Sequence, residues 1–214
     1  MTTARRCVLA LVLVGLVAIV AAAPAAATST NTTVKGMVQG YGYFKACHHH
    51  YDHCFDTRLA GATVTVLGSN PLLQAITNKC GCYSFTGPLV QPPYQCGVPV
   101  QACATWYEPQ TLYVRPNPGG TRTLNFCLLV KATTLTGTVL DTKHKAVSGA
   151  KVTVDHWATS TDSHGAFTLA GMRLKPQTKY TVAICAKGCQ RATVRFLSAP
   201  GGSVSITVTL KKWH

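Results

Sequence analysis

The chain has 214 residues, with 20 Lys and Arg against 6 Asp and Glu and a formal charge of +14; only 12% of it is charged, about half the share usual in a soluble globular domain. Apolar residues make up 47%, which excludes charge-driven disorder. A chain of this length builds one or two sandwich-sized cores without needing metal or disulfide staples.

Residues 1–27 read as a secretory signal peptide. Arg5 and Arg6 precede the apolar run from Val8 to Val20, and Ala25-Ala26-Ala27 supplies the small residues of a cleavage site. The run falls short of a bilayer-spanning helix and Pro24 follows it, so cleavage is expected rather than anchoring, with no membrane span afterwards. Export delivers the chain to an oxidising compartment in which most cysteines are expected to pair. Ten cysteines become nine once Cys7 leaves, so one stays single or pairs between molecules. Asn31-Thr32-Thr33 is a glycosylation sequon, used if the host is eukaryotic.

An internal repeat organises the rest of the chain. Lys35-Gly36-Met37-Val38 matches Thr136-Gly137-Thr138-Val139, Gly61-Ala62-Thr63-Val64-Thr65-Val66 matches Gly149-Ala150-Lys151-Val152-Thr153-Val154, and Gly81-Cys82-Tyr83-Ser84-Phe85 matches Gly165-Ala166-Phe167-Thr168-Leu169. From Val98 over Tyr180 to Leu128 over Leu210 the register continues without a gap. Between its first two blocks the earlier unit carries an insertion containing Cys47-His48-His49-His50-Tyr51-Asp52-His53-Cys54. Two readings of this loop stand side by side: His48, His50, His53 and Asp52 hold zinc or copper, or a Cys47–Cys54 disulfide closes a polar loop. If extended, His48 and His50 point to one side, so the loop must curl before His53 can join them.

Aromatic residues gather in the first unit. Tyr83 and Phe85 occupy repeat positions that alternate into a core, whereas Tyr41, Tyr43, Trp106 and Tyr107 are candidates for stacking on sugar rings. The boundary between units falls near Val130 to Thr133, giving a first sandwich over 28–130 and a second over 131–214. In the second, Val152 and Val154, Tyr180, Val182 and Ile184, and Val204, Ile206, Val208 and Leu210 alternate with polar residues. A period of two with turns at Asp141-Thr142-Lys143, Thr161 to Gly165 and Pro200-Gly201-Gly202 predicts about seven short antiparallel strands per unit. The second unit is also the basic one, with twelve basic against three acidic residues where 28–130 has six against three. Arg191 and Arg195 alternate along one strand, and with Lys175, Lys179 and Lys187 they are candidates for contacting a polyanion. Cys185 and Cys189 are a candidate disulfide.

The run Gly137-Thr138-Val139, Val147-Ser148-Gly149-Ala150-Lys151-Val152-Thr153-Val154, Thr161-Asp162-Ser163-His164-Gly165-Ala166-Phe167-Thr168-Leu169 and Tyr180-Thr181-Val182 resembles the carboxypeptidase regulatory-like domains. The first unit follows the pattern more loosely, with Asn78-Lys79-Cys80-Gly81-Cys82-Tyr83 at the turn, and also resembles the pollen-allergen-like domains of plant cell walls. The resemblance implies tandem transthyretin-like Greek-key β-sandwiches, and modules that are usually non-catalytic and serve adhesion, wall attachment, carbohydrate contact or stabilisation of a neighbouring enzyme. Neither a nucleophile elbow nor a phosphate loop nor a zinc-protease motif is present, and no nucleic-acid recognition module is recognisable. The sequence thus reads as a secreted, all-β, two-domain protein that is not an enzyme. Its expected partner is an extracellular polysaccharide or cell-wall component; metal binding and protein–protein contact are the alternatives.

Overall fold

The structure, a computed structural model, describes residues 30–42, 57–90 and 96–213. Residues 1–27, expected to be a signal peptide, Tyr43 and the whole of the 47–54 loop lie outside the described residues. Every regular element described is a strand, in keeping with the all-β expectation. The first unit holds β1 (Asn31–Tyr41), β2 (Thr57–Arg58), β3 (Thr63–Val66), β4 (Gln74–Ile76), β5 (Cys82–Pro88), β6 (Val98–Cys103), β7 (Gln110–Val114), β8 (Thr121–Thr123) and β9 (Phe126–Leu129). The second holds β10 (Thr133–Asp141), β11 (Lys151–Val154), β12 (Trp157–Ser160), β13 (Ala166–Met172), β14 (Lys179–Cys185), β15 (Ala192–Leu197) and β16 (Ser203–Leu210).

The strands alternate buried and exposed residues, and the buried rows meet between sheets. β1 is flanked by antiparallel β5 and by parallel β8 and β9, opposite a sheet ordered β4-β3-β6-β7. Val34, Val38, Val64, Val66, Phe85, Val100, Phe126 and Leu128 fill the space between. β10 lies between antiparallel β13 and parallel β16, opposite a sheet ordered β12-β11-β14-β15, around Leu135, Val139, Val152, Phe167, Ile184 and Leu210. The two cores are separate hydrophobic clusters.

The glycine of each first strand has a steric cause. A Cβ on Gly36 would lie 1.8 Å from the Leu124 carbonyl oxygen, and one on Gly137 would lie 2.3 Å from that of Ile206, so only glycine lets the parallel neighbour come this close. The Thr-Asn/Asp turn is also shared. Thr161 Oγ1 accepts from Ala150 N and donates to the Val147 carbonyl, and Thr77 does the same with Ala62 and Leu59. Asp162 Oδ1 accepts from His164 N and Ala166 N, and Asn78 Oδ1 accepts from Cys80 N and Cys82 N. A short side chain ending in an acceptor oxygen is what this turn needs, and Asn supplies it as well as Asp.

The second unit has the seven strands expected. The first has nine short ones, for local reasons. Where β16 runs unbroken beside β10, its counterpart is split into β8 and β9 because Met37 N donates to Asn125 Oδ1 at 3.0 Å. There a side-chain amide replaces the neighbouring backbone, so the N–H stays satisfied while the ladder is interrupted. The other addition is β2, which pairs Arg58 with Gln39 where the second unit has only the bridge Leu140–Ala146.

Candidate functional site

A cleft of about 340 Å³ opens where the two units meet. It is lined by residues 57–61 around Arg58, by the turn Ala104-Thr105-Trp106-Tyr107, and by Lys175 and Pro176 from the second unit. Its size lies at the lower end for small-molecule sites.

The turn carrying Trp106 is closed by Tyr107 N donating to the Ala104 carbonyl at 3.2 Å, while the Trp106 carbonyl accepts from Lys131 N at 2.8 Å and Glu108 N donates to the Leu129 carbonyl at 2.7 Å. The second unit makes the same three bonds: Cys189 N to the Ala186 carbonyl at 3.1 Å, Trp213 N to the Gly188 carbonyl at 3.1 Å, and Gln190 N to the Lys211 carbonyl at 2.7 Å. In this register Trp106 corresponds to Gly188. Both adopt a left-handed backbone, with φ of 69° for Trp106 and 74° for Gly188. Glycine does so without penalty, whereas a residue bearing a Cβ loses about 1–2 kcal/mol. Gly188 is therefore the residue the backbone prefers, and the indole in the first unit is held there against that preference, 36% exposed beside the cleft.

Arg58 is a second addition. Leu59 N donates to the Val38 carbonyl as Val147 N does to that of Val139, so Arg58 corresponds to Ala146. Lys175 stands in the loop between β13 and β14, with its main chain held at both ends: its N–H donates to Tyr180 Oη at 3.0 Å and its carbonyl accepts from Ser198 Oγ at 2.6 Å. Burial pushes the Tyr180 hydroxyl above its ordinary pKa, so it stays a neutral acceptor here. Among the described residues no carboxylate lines the cleft. The nearest in sequence to Trp106, Glu108, is engaged by Arg173, whose Nη1 lies 2.9 Å from Glu108 Oε1 and 2.6 Å from the Val130 carbonyl. That contact joins the two units beside the cleft.

The other candidate residues are dispersed. Tyr107 lines the cleft as a buried residue rather than an exposed ring. It is 5% exposed, its ring lies against Gly40, and burial raises its pKa. Tyr41 ends β1, accepts from Val130 N through its carbonyl, and does not line the cleft. The basic residues expected to act together are separated. Lys179 and Arg195 share the outer face of β14 and β15 beside a depression of about 230 Å³. Lys187 lies beyond the far end of β14 and Arg191 just before β15 begins, about 20 Å from Lys179 along the strand. Lys175 faces the cleft instead. Asn31, of the sequon, is exposed at the start of β1.

Among the described residues no disulfide is formed by Cys80, Cys82, Cys96, Cys103, Cys127, Cys185 or Cys189. Cys185 is exposed at the end of β14 while Cys189 packs against the second core, and no disulfide joins them. His48, His50, Asp52, His53, Cys47 and Cys54 lie outside the described residues. Among the described residues no group of three or more His, Cys, Asp or Glu could hold a metal ion. Nor, among them, is any helix long and apolar enough to cross a membrane.

Residues 134–211 match the carboxypeptidase regulatory-like domain family. Among solved structures, the Bacillus anthracis TIE protein superposes on 85% of this chain with a TM-score of 0.52 and 18% identity; the chain spans 34% of that protein. At that identity the likeness concerns the fold alone. Lower scores are found for GBS52, the minor pilin of Streptococcus agalactiae, with a TM-score of 0.35 and 12% identity over 86% of this chain and 97% of that one. The shaft pilin spaA of Lactobacillus rhamnosus GG gives 0.31 and 13% over 86% and 98%. No curated protein matches the chain. The match to the carboxypeptidase regulatory-like family model thus falls on the strands β10 to β16, which pack around a single hydrophobic core.

Proposed function

We propose that this chain is a non-catalytic extracellular binding module of two sandwich domains, 28–130 and 131–214, that contacts polysaccharide of a wall or matrix through the indole of Trp106. One observation carries the reading: a bulky aromatic occupies a left-handed position that the corresponding turn gives to glycine, on the wall of a cleft. Strain of this kind persists where the surroundings over-determine it, and it concentrates at ligand contacts. An accessible indole offers an apolar face for stacking and an N–H for a sugar hydroxyl. The described carboxylates support a non-catalytic role. Asp141 and Asp162 are engaged with backbone amides of their own turns, Glu108 with Arg173, and Asp155 lies beside His156.

The test is sedimentation of the purified protein with insoluble polysaccharides and wall preparations, at low and high salt, beside Trp106→Ala. Retention of the parent and loss in the variant is expected. Equal retention of both, or retention of neither, contradicts the proposal.

A further inference from the structure

Resting on that reading, we propose that the cleft selects an acidic saccharide, with Trp106 stacking on a sugar ring while Arg58 and Lys175, one from each unit, bind its carboxylate. Three observations converge on this chemistry. First, both first-unit contributors are departures from the corresponding turn and strand, where Gly188 and Ala146 stand; the framework itself needs neither an indole nor a guanidinium there. Second, both cations are unspent. Among the described residues the ion pairs are Arg173–Glu108 and His156–Asp155, and the cleft has no carboxylate in its described lining. A cationic pocket with no counter-charge in its described lining attracts an anion, and among the described acids the nearest in sequence to Trp106, Glu108, is engaged by Arg173. Third, the cations sit on fixed supports. Arg58 is in a strand paired to β1, and the backbone of Lys175 is pinned by Tyr180 and Ser198. Preorganisation of this kind reduces the ordering cost of binding.

An aromatic face alone would accept a neutral sugar, and cations alone would accept any polyanion. Their juxtaposition across the junction fits a ring that bears its own negative charge. Because Lys175 comes from the other unit, the site is complete only when both units are in place.

The probes are α-1,4-linked tetragalacturonate and the same tetrasaccharide with its carboxyl groups reduced, titrated by calorimetry into the full protein, into Arg58→Gln/Lys175→Gln and into Trp106→Ala. Both substituted cations are exposed, and unchanged thermal midpoints establish that the double variant is folded. The expected result is binding of tetragalacturonate at least about tenfold tighter than of the reduced form, a preference erased in the double variant, and loss of both ligands in Trp106→Ala. Equal affinity for the two ligands, unaffected by the double variant but abolished by Trp106→Ala, overturns acid selectivity while leaving the polysaccharide reading intact. Binding of neither ligand, or binding indifferent to Trp106, overturns both.

Discussion

Replacing Trp106 by alanine and, separately, by glycine distinguishes what the ring does from what the backbone tolerates. Both substitutions remove the same indole, so the packing lost is common and cancels in the comparison. What differs is the left-handed φ of 69°. Alanine keeps a Cβ and with it a penalty of about 1–2 kcal/mol. Glycine escapes the penalty but releases more entropy on unfolding, worth about 0.4–1 kcal/mol. The balance favours Trp106→Gly over Trp106→Ala by roughly 0.5–1 kcal/mol, the reverse of the order found in extended or helical backbone. For a unit of about 100 residues this corresponds to a thermal midpoint about 2–8 °C higher. Thermal and urea unfolding of the two variants, fitted for the first unit, read the difference directly. Both variants are expected to lose polysaccharide retention equally, so the more stable of the two gains nothing in function. An alanine variant as stable as the glycine variant refutes the argument that the indole is held there at a backbone cost.

Thr161→Val leaves Ala150 N–H and the Val147 carbonyl without their partner inside the second unit, and is expected to cost about 1–3 kcal/mol in urea unfolding; a neutral result would mean water replaces the hydroxyl. Asp141 has its pKa lowered chiefly by the hydrogen bond from Lys145 N, with a further one from Lys143 N. A lowered folded-state pKa gives stability that is present above the unfolded value, about 4, and lost as pH falls through the folded value. The stability difference between the parent and Asp141→Asn should therefore shrink as thermal midpoints are followed from pH 6 to pH 2, and a constant difference contradicts the assignment. Joint replacement of His48, His49, His50 and His53 is expected to leave retention on polysaccharide unchanged, since the proposed site draws on none of them; its loss would relocate the function to that loop.

Much of the framework is legible in the sequence because it depends on short-range rules. The alternation in Val152-Thr153-Val154 and in Val204 to Leu210 announces strands with one wet face, and β11 and β16 obey it. The turn at Thr161-Asp162 can be read from residue types alone, and Asn78 serves the same end in the first unit. The split between β8 and β9 is not legible, since an amide at Asn125 can point to solvent or enter the ladder, and a long-range register with Met37 decides which. Tyr107 reads as a loop ring but is buried, because a turn at a strand end can still point inward and the space left by Gly40 receives it. The cleft is hidden for a related reason: Arg58, Trp106 and Lys175 are far apart in sequence, and Lys175 joins the other two only through the junction of two sandwiches. A signal for two of them exists all the same. The offset that lays Cys103 over Cys185 lays Trp106 over Gly188, and that between Gly61 and Gly149 lays Arg58 over Ala146. A large or charged residue standing where the counterpart is minimal is worth pursuing when two units share one framework.

Contact between Trp106 and the ligand is directly observable, because the chain contains only three tryptophans, Trp106, Trp157 and Trp213. Indole N–H resonances of the ¹⁵N-labelled protein, assigned by single substitution, report on all three during titration with tetragalacturonate. Trp157 packs against the second core and Trp213 is 67% exposed near the chain end, so they serve as internal controls. A saturable shift of the Trp106 indole with the other two unmoved is expected; a stationary Trp106 resonance while another indole shifts would place the ligand elsewhere and contradict contact at Trp106.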